Sequence, residues 1–263
     1  MLTATLQRRI RVGSVPVDRV TFGEALDAVA ELVRLRRGGT VFTPNVDHVV
    51  MADEDDRLRR AYADVDLSLA DGMPVVWASR ALGRPLPEKV SGSDICAPLM
   101  ERAAENGWRV YLLGGGHGVA KRAASRLRAA YPGIAVVGTS SPRIDMNEPE
   151  SGRRHVVEAV QKTAPDLVLV GLGAPKQELW IHESAAALTP AVLLGVGASI
   201  DFLAGTARRA PAWMSAAGLE WLHRLAVEPR RLWRRYLLRD PKFLGILLAQ
   251  LVRTQPEPSG TPS

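Results

Sequence analysis

Apolar residues along this chain follow two alternating rhythms. Short uninterrupted runs, VYLL (residues 110–113), LVLV (167–170) and VLLGV (192–196), lack the in–out alternation of a half-exposed strand. They read as strands buried on both faces. Between them, apolar positions recur every three to four residues, as in Ala25, Leu26, Val29, Ala30 and Val33 behind a Thr21–Glu24 capping box. Further strands are expected at 10–17, 40–45, 65–72 and in IAVVG (134–138). Helices are expected at about Asp47–Tyr62, from Pro74, and at Ser93–Glu105, Val119–Tyr131, 151–163 and 176–187. Strands alternating with helices of this length predict βαβ units, an α/β fold and a mostly parallel sheet.

The rhythm changes after residue 207. Residues 211–227, 229–238 and 241–252 read as three short helices, each with a proline near its start, and they hold Trp213, Trp221 and Trp233. The expected organisation is an α/β domain over 1–207, a helical appendage over 208–253 and a disordered tail over 254–263.

Ligands of an open parallel sheet bind beyond the carboxyl ends of its strands. Those ends carry Thr43-Pro44-Asn45, Ala70-Asp71-Gly72, Gly114-Gly115-Gly116, the segment GLGAPKQ (171–177) and the stretch 195–201. Asp71 reads either as a turn aspartate or as a general base beside a substrate hydroxyl. GGGHG reads either as a tight strand–helix turn or as a phosphate cradle of backbone N–H groups. It fits neither GxGxxG nor a P-loop. Asp64-Val65-Asp66 matches a D-x-D metal pattern, but at the entry of a strand, the wrong end for the crevice. The five histidines form no i,i+4 pair and Cys96 is the one cysteine, so no zinc site is expected. No G-x-S-x-G nucleophile elbow occurs.

Charge sharpens the picture at one end only. Residues 1–207 balance 24 basic against 24 acidic side chains, whereas 208–253 hold ten basic and three acidic ones. A local basic block points to an anionic partner. At 100° per residue, Arg230, Arg231, Arg234 and Arg235 share one arc of the helix at 229–238. Leu232, Trp233, Tyr236 and Leu237 share the other, with Leu238 out of place. This suits a membrane-surface helix, a core-packed helix with a solvated basic face, or guanidinium groups that bind a diphosphate. The first ten residues contain no long apolar segment, so no signal peptide is expected, and no apolar run is long enough to span a bilayer.

The stretches TPNVDHVVMA, ADGMPVVWASR, KVSGSDI, YLLGG, GLGAPKQELWI, GVGASIDFLAG and RRAPAWMSAAGLEWLHRLAVEPRRLWRRYL occur in this order between Val12 and Arg239. Together they resemble the WecG/TagA/CpsF family of bacterial glycosyltransferases. The resemblance implies a Rossmann-like α/β fold with a C-terminal basic helical appendage that closes the site at the cytoplasmic face of the membrane. It implies inverting, metal-independent transfer, without a cofactor, of a sugar such as N-acetylmannosamine from a UDP-sugar to a polyprenyl-diphosphate-linked sugar. The pathway would be teichoic acid or surface polysaccharide synthesis, with no nucleic-acid partner. It makes Asp71 the general base and puts Thr43, Asn45 and Gln177 in the sugar pocket. It places Arg224, Arg231 and Arg234 on the diphosphate, and Gly114, Gly115 and Gly116 remain candidates for donor-nucleotide contact. The alternatives are a nicotinamide-dependent oxidoreductase with a degenerate glycine loop and a non-enzymatic membrane-binding module.

Overall fold

The computed structural model describes residues 9–254; of the tail expected at 254–263, Thr254 ends the last helix and residues 255–263 lie outside the described residues. Six parallel strands form the central sheet. They are β3 (Gly39–Phe42), β4 (Leu67–Ser68), β5 (Arg109–Gly114), β6 (Ala135–Ser140), β7 (Leu167–Gly171) and β8 (Val192–Gly195), in the order β4-β3-β8-β7-β5-β6. The segment expected as one strand at 10–17 is an antiparallel hairpin, β1 (Arg9–Val12) and β2 (Val15–Asp18). Gly13, with φ of 60°, makes the turn.

The unbroken apolar runs are explained by two cores, one on each face of the sheet. Leu167 and Leu169 join Val192, Leu194, Val110 and Leu112 on one face. There they meet α1 (Phe22–Leu35), α5 (Gly92–Glu105), α6 (Val119–Ala130) and α9 (Ser199–Ala204). Val168 and Val170 join Tyr111, Leu113 and Leu193 on the other face. They meet α2 (Val46–Glu54), α3 (Asp56–Ala63), α4 (Met73–Ala81), α7 (Arg154–Gln161) and α8 (Lys176–Ser184). Strand periodicity is intact; both sets of side chains are buried.

The helix expected at Asp47–Tyr62 is two helices. Asp55 ends α2 and caps α3, its carboxylate accepting from the backbone N–H of Arg57 at 2.8 Å and of Leu58 at 3.4 Å. Buried Asp18 accepts from Arg9 Nε and Nη2 at 2.8 and 2.9 Å and from the Ser68 N–H at 2.8 Å, which ties the hairpin to β4.

Beyond residue 207 the chain forms α10 (Ala212–Ala216), α11 (Glu220–Val227), α12 (Pro229–Arg234), a π-helical turn (Arg235–Arg239) and α13 (Lys242–Thr254). The first expected helix is split where Gly218 takes φ of 70°. The π turn, closed by Asp240 N–H bonding to Arg235 O at 2.8 Å, breaks the 100° phase assumed for 229–238. Leu237 and Leu238 consequently face solvent, each 59% exposed, while Arg235 turns inward. Helix α13 returns to the α/β core. Its Phe243 is buried there, and the Gln250 side chain accepts from the Gly13 N–H at 2.7 Å and donates to Arg11 O at 2.9 Å.

Candidate active site

The loops after β3, β4, β7 and β8 meet at one edge of the sheet because parallel strands all deliver their carboxyl ends there. Thr43 leaves β3 and donates its hydroxyl to Gly195 O, at the end of β8, at 3.0 Å. Two residues on, Asn45 caps α2, its Oδ1 accepting from the Asp47 N–H at 3.1 Å. The chain after β4 continues alongside this loop. Leu69 N–H bonds to Phe42 O and Asp71 N–H to Pro44 O, both at 2.8 Å. Asp71 is therefore fixed by backbone next to the Thr43–Asn45 segment.

Gln177 approaches the same edge from the start of α8. Its Oε1 accepts from the Gly197 N–H at 3.0 Å, and its Nε2 donates to Glu178 Oε1 at 2.7 Å. Glu178 is fully buried and also meets His48 Nε2 at 3.1 Å. His48 Nδ1 lies 2.9 Å from Asn45 Oδ1. Gln177, Glu178 and His48 thus form a buried chain of polar groups that ends at half-buried Asn45. Lys176, one residue before Gln177, points elsewhere and pins Ile144 O at 3.0 Å.

The half-buried Asp71 carboxyl is displaced upward from its ordinary range. Burial pushes it up and the charge of Glu220 adds to this; Arg224, Lys89 and His48 pull it back. Lys89 reaches Glu220 Oε1 and Asp94 Oδ2 at 3.1 Å each, which docks the start of α11 onto the segment before α5. Arg224 arrives on α11, its guanidinium 5.8 Å from the centre of the Phe202 ring. Tyr236 packs on Trp221, with ring centres 5.9 Å apart.

Residues 10–257 match the model of the glycosyl transferase WecG/TagA/CpsF family. The chain belongs to that family. It is similar to two proteins named N-acetylglucosaminyldiphosphoundecaprenol N-acetyl-beta-D-mannosaminyltransferase. The one from Bacillus spizizenii (strain ATCC 23059 / NRRL B-14472 / W23) is 31% identical over 212 residues, covering 81% of this chain and 79% of the relative. The one from Bacillus subtilis (strain 168) is 33% identical over 217 residues, covering 81% and 80%.

The arginines of this WecG/TagA/CpsF chain divide by location. Arg224 faces Asp71. Arg234 is exposed, 5.4 Å from the Trp233 ring centre. The side chain of Arg231 lies outside the described residues. Two further arginines enter from the π turn. Arg235 donates to Asn45 Oδ1 at 3.0 Å and lies 3.2 Å from Asp47 Oδ2, and Arg239 donates to Asp47 Oδ1 at 2.9 Å.

Two of the three candidate glycines have a packing role. A Cβ on Gly114 would sit 2.3 Å from Gly171 O, and the Gly115 N–H bonds that same oxygen at 3.0 Å. Gly116 is exposed at the crest of the turn before α6. The D-x-D carboxylates hold the opposite edge of the sheet. Asp66 Oδ2 accepts from the Thr40 N–H and hydroxyl at 2.8 and 3.0 Å, and Asp64 Oδ2 lies 2.9 Å from His182 Nε2.

Sequence reasoning did not single out His48, Asp47 or Arg239, and it gave Glu178 and Arg235 no partner. The one local signal was His48 three residues after the capping Asn45, the spacing of a capping box. Pairing across 130 positions to Glu178 and across 188 or more to the π turn leaves no local trace.

Proposed function

We propose that the protein transfers a sugar, N-acetylmannosamine or a related hexose, from a UDP-sugar to a polyprenyl-diphosphate-linked sugar. The hydroxyl of the lipid-linked sugar attacks the anomeric carbon and its proton passes to Asp71. The bond from that carbon to the UDP phosphate oxygen breaks, and UDP leaves with the electron pair. A single attack from the face opposite UDP inverts the anomeric centre.

The observation that carries this reading is Asp71, a half-buried carboxyl fixed by its backbone at the strand ends that also bear Asn45 and Gln177, displaced upward by burial and within the field of Arg224 from the C-terminal helices. A carboxylate displaced upward by burial is a stronger proton acceptor than a free one. A guanidinium group suits the charge that develops on a departing diphosphate. The names of the relatives agree, since both specify N-acetylmannosamine transfer to a GlcNAc-diphosphoundecaprenol. The residue pair Gly115–Gly116 and the first turn of α6 are the candidate contacts for the donor's phosphates, and Arg231 and Arg234 supply further positive charge.

The C-terminal helices are the membrane-facing element in this reading. Trp213, Val227, Leu237, Leu238, Leu244, Leu248 and Val252 are each 59–75% exposed, beside arginines. Among the described residues, no helix is long and apolar enough to cross a membrane. A peripheral position on the inner face of the cytoplasmic membrane, where a lipid-linked acceptor and a soluble nucleotide sugar meet, accounts for both facts.

The test is incubation of the protein with a panel of UDP-sugars and polyprenyl-diphosphate-GlcNAc, read by mass spectrometry. Growth of the lipid by one hexose unit with release of UDP is expected. Absence of transfer from every donor, together with thermal stabilisation by NAD and not by UDP, would replace this reading with the oxidoreductase one.

A further inference from the structure

Glu178 neighbours Gln177 in the chain, yet both side chains turn into the same buried network. No part of the Glu178 side chain is exposed. Its Oε1 accepts from Gln177 Nε2 at 2.7 Å and faces His48 Nε2 at 3.1 Å, while Oε2 has no protein partner. A carboxylate placed so deep costs several kcal/mol in lost hydration unless donors surround it. The chemistry of the contacts then decides how Gln177 is rotated. A carboxylate accepts, so the Gln177 atom facing it is the amide nitrogen. The Gly197 N–H donates, so the atom facing it at 3.0 Å is the amide oxygen. Neither contact survives a flip of the amide. The amide nitrogen carries two hydrogens and Glu178 takes one of them.

We propose that Glu178 and His48 are positioning residues that hold Gln177 as a hydrogen-bond donor to substrate. The substrate group seated against Gln177 is accordingly an acceptor oxygen: an acetamido carbonyl, a sugar hydroxyl or a phosphate oxygen. This rests on the reading of the site given above. His48 extends the lock, because its Nε2 hydrogen goes to Glu178, which leaves Nδ1 to accept from the Asn45 backbone N–H at 3.3 Å. One buried pair thereby ties the Gln177 amide to the backbone at Asn45.

Glu178→Gln preserves size, removes the charge and introduces an amide nitrogen that competes with the one on Gln177. Steady-state transfer should fall about tenfold to a hundredfold in kcat/KM, with a similar fall in Gln177→Ala. The double variant should match Gln177→Ala within about twofold, because Glu178 acts through Gln177. Losses that multiply instead would make Glu178 a structural residue and overturn the proposal. If Glu178→Gln does not fold, His48→Asn takes its place in the same cycle, with the same two outcomes. A second readout needs no activity. In protein labelled with 15N-glutamine, which has five glutamines, the Gln177 side-chain signal is the one missing from Gln177→Ala. One of its two amide protons should be shifted downfield and exchange slowly, and Glu178→Gln should abolish both properties. An ordinary, fast-exchanging amide in the wild-type protein overturns the lock even where sugar transfer is absent.

Discussion

Asp240 closes the π turn that presses Arg235 and Arg239 onto Asp47, and replacing it with asparagine should make the protein more stable at neutral pH. The Asp240 side chain is 17% exposed, its Oδ1 has no partner, and Arg235 Nε stands 3.9 Å from its Oδ2. Burial pushes the carboxyl from 3.8 up to about 6. Arg235, Arg239 and His48 pull it down and Asp47 pushes it up, and burial outweighs the pull. Below pH 3.8 the group is protonated in both folded and unfolded chains and has no effect on stability. As pH rises from 3.8 to 6 the unfolded chain releases the proton first, so stability falls, and it levels off above 6. The shift is about two pH units at ~1.4 kcal/mol each, giving about 3 kcal/mol lost by pH 8. Asparagine mimics the protonated form. Asp240→Asn should therefore exceed the wild type by about 3 kcal/mol at pH 8 in urea unfolding and match it near pH 3.5. Its melting point at pH 8 should rise by about 2–4 °C per kcal/mol for a chain of this size. A variant less stable than the wild type at pH 8 would show that pairing with Arg235 outweighs desolvation, and would refute the reasoning.

Arg224→Gln should lower kcat roughly tenfold to a hundredfold. It should also move the acid limb of the pH–rate profile upward, because Arg224 holds the Asp71 carboxyl down; an unmoved limb would separate the two groups. Gly114→Ala should destabilise the fold by roughly 2–4 kcal/mol. The new Cβ meets Gly171 O at 2.3 Å and φ is 118°, and unchanged unfolding in urea would contradict that packing. Leu244→Asp with Leu248→Asp should weaken sedimentation with anionic vesicles at least tenfold while leaving transfer to a short, water-soluble acceptor within about twofold. Equal vesicle binding by the variant would move the membrane contact elsewhere.

What was legible in the sequence was local. Uninterrupted apolar runs announced strands buried on both faces, and Leu167–Val170 divide between two cores as such runs must. Polar residues clustered at strand ends announced the edge where Thr43, Asn45, Asp71 and Gln177 now lie, because parallel strands leave nowhere else for them. What was hidden depends on long-range partners or on departures from regular period. Asp55 interrupts an apparently continuous helical pattern by capping the next helix. The π turn at 235–239 departs from the regular period, whereas a helical wheel drawn at 100° put Arg235 on one arc with Arg230, Arg231 and Arg234. That side chain instead reaches Asn45. Glu178 follows Gln177 directly in the chain, and only its contacts with His48 and Gln177 reveal it as buried.

The central claim is that Asp71 takes the proton of the acceptor hydroxyl. Single-turnover transfer from UDP-N-acetylmannosamine to polyprenyl-diphosphate-GlcNAc by Asp71→Asn tests it most directly, alongside UDP binding and melting of the same sample. The account predicts a loss of at least a thousandfold in rate with UDP affinity and melting temperature close to wild type; transfer within tenfold of wild type would contradict it.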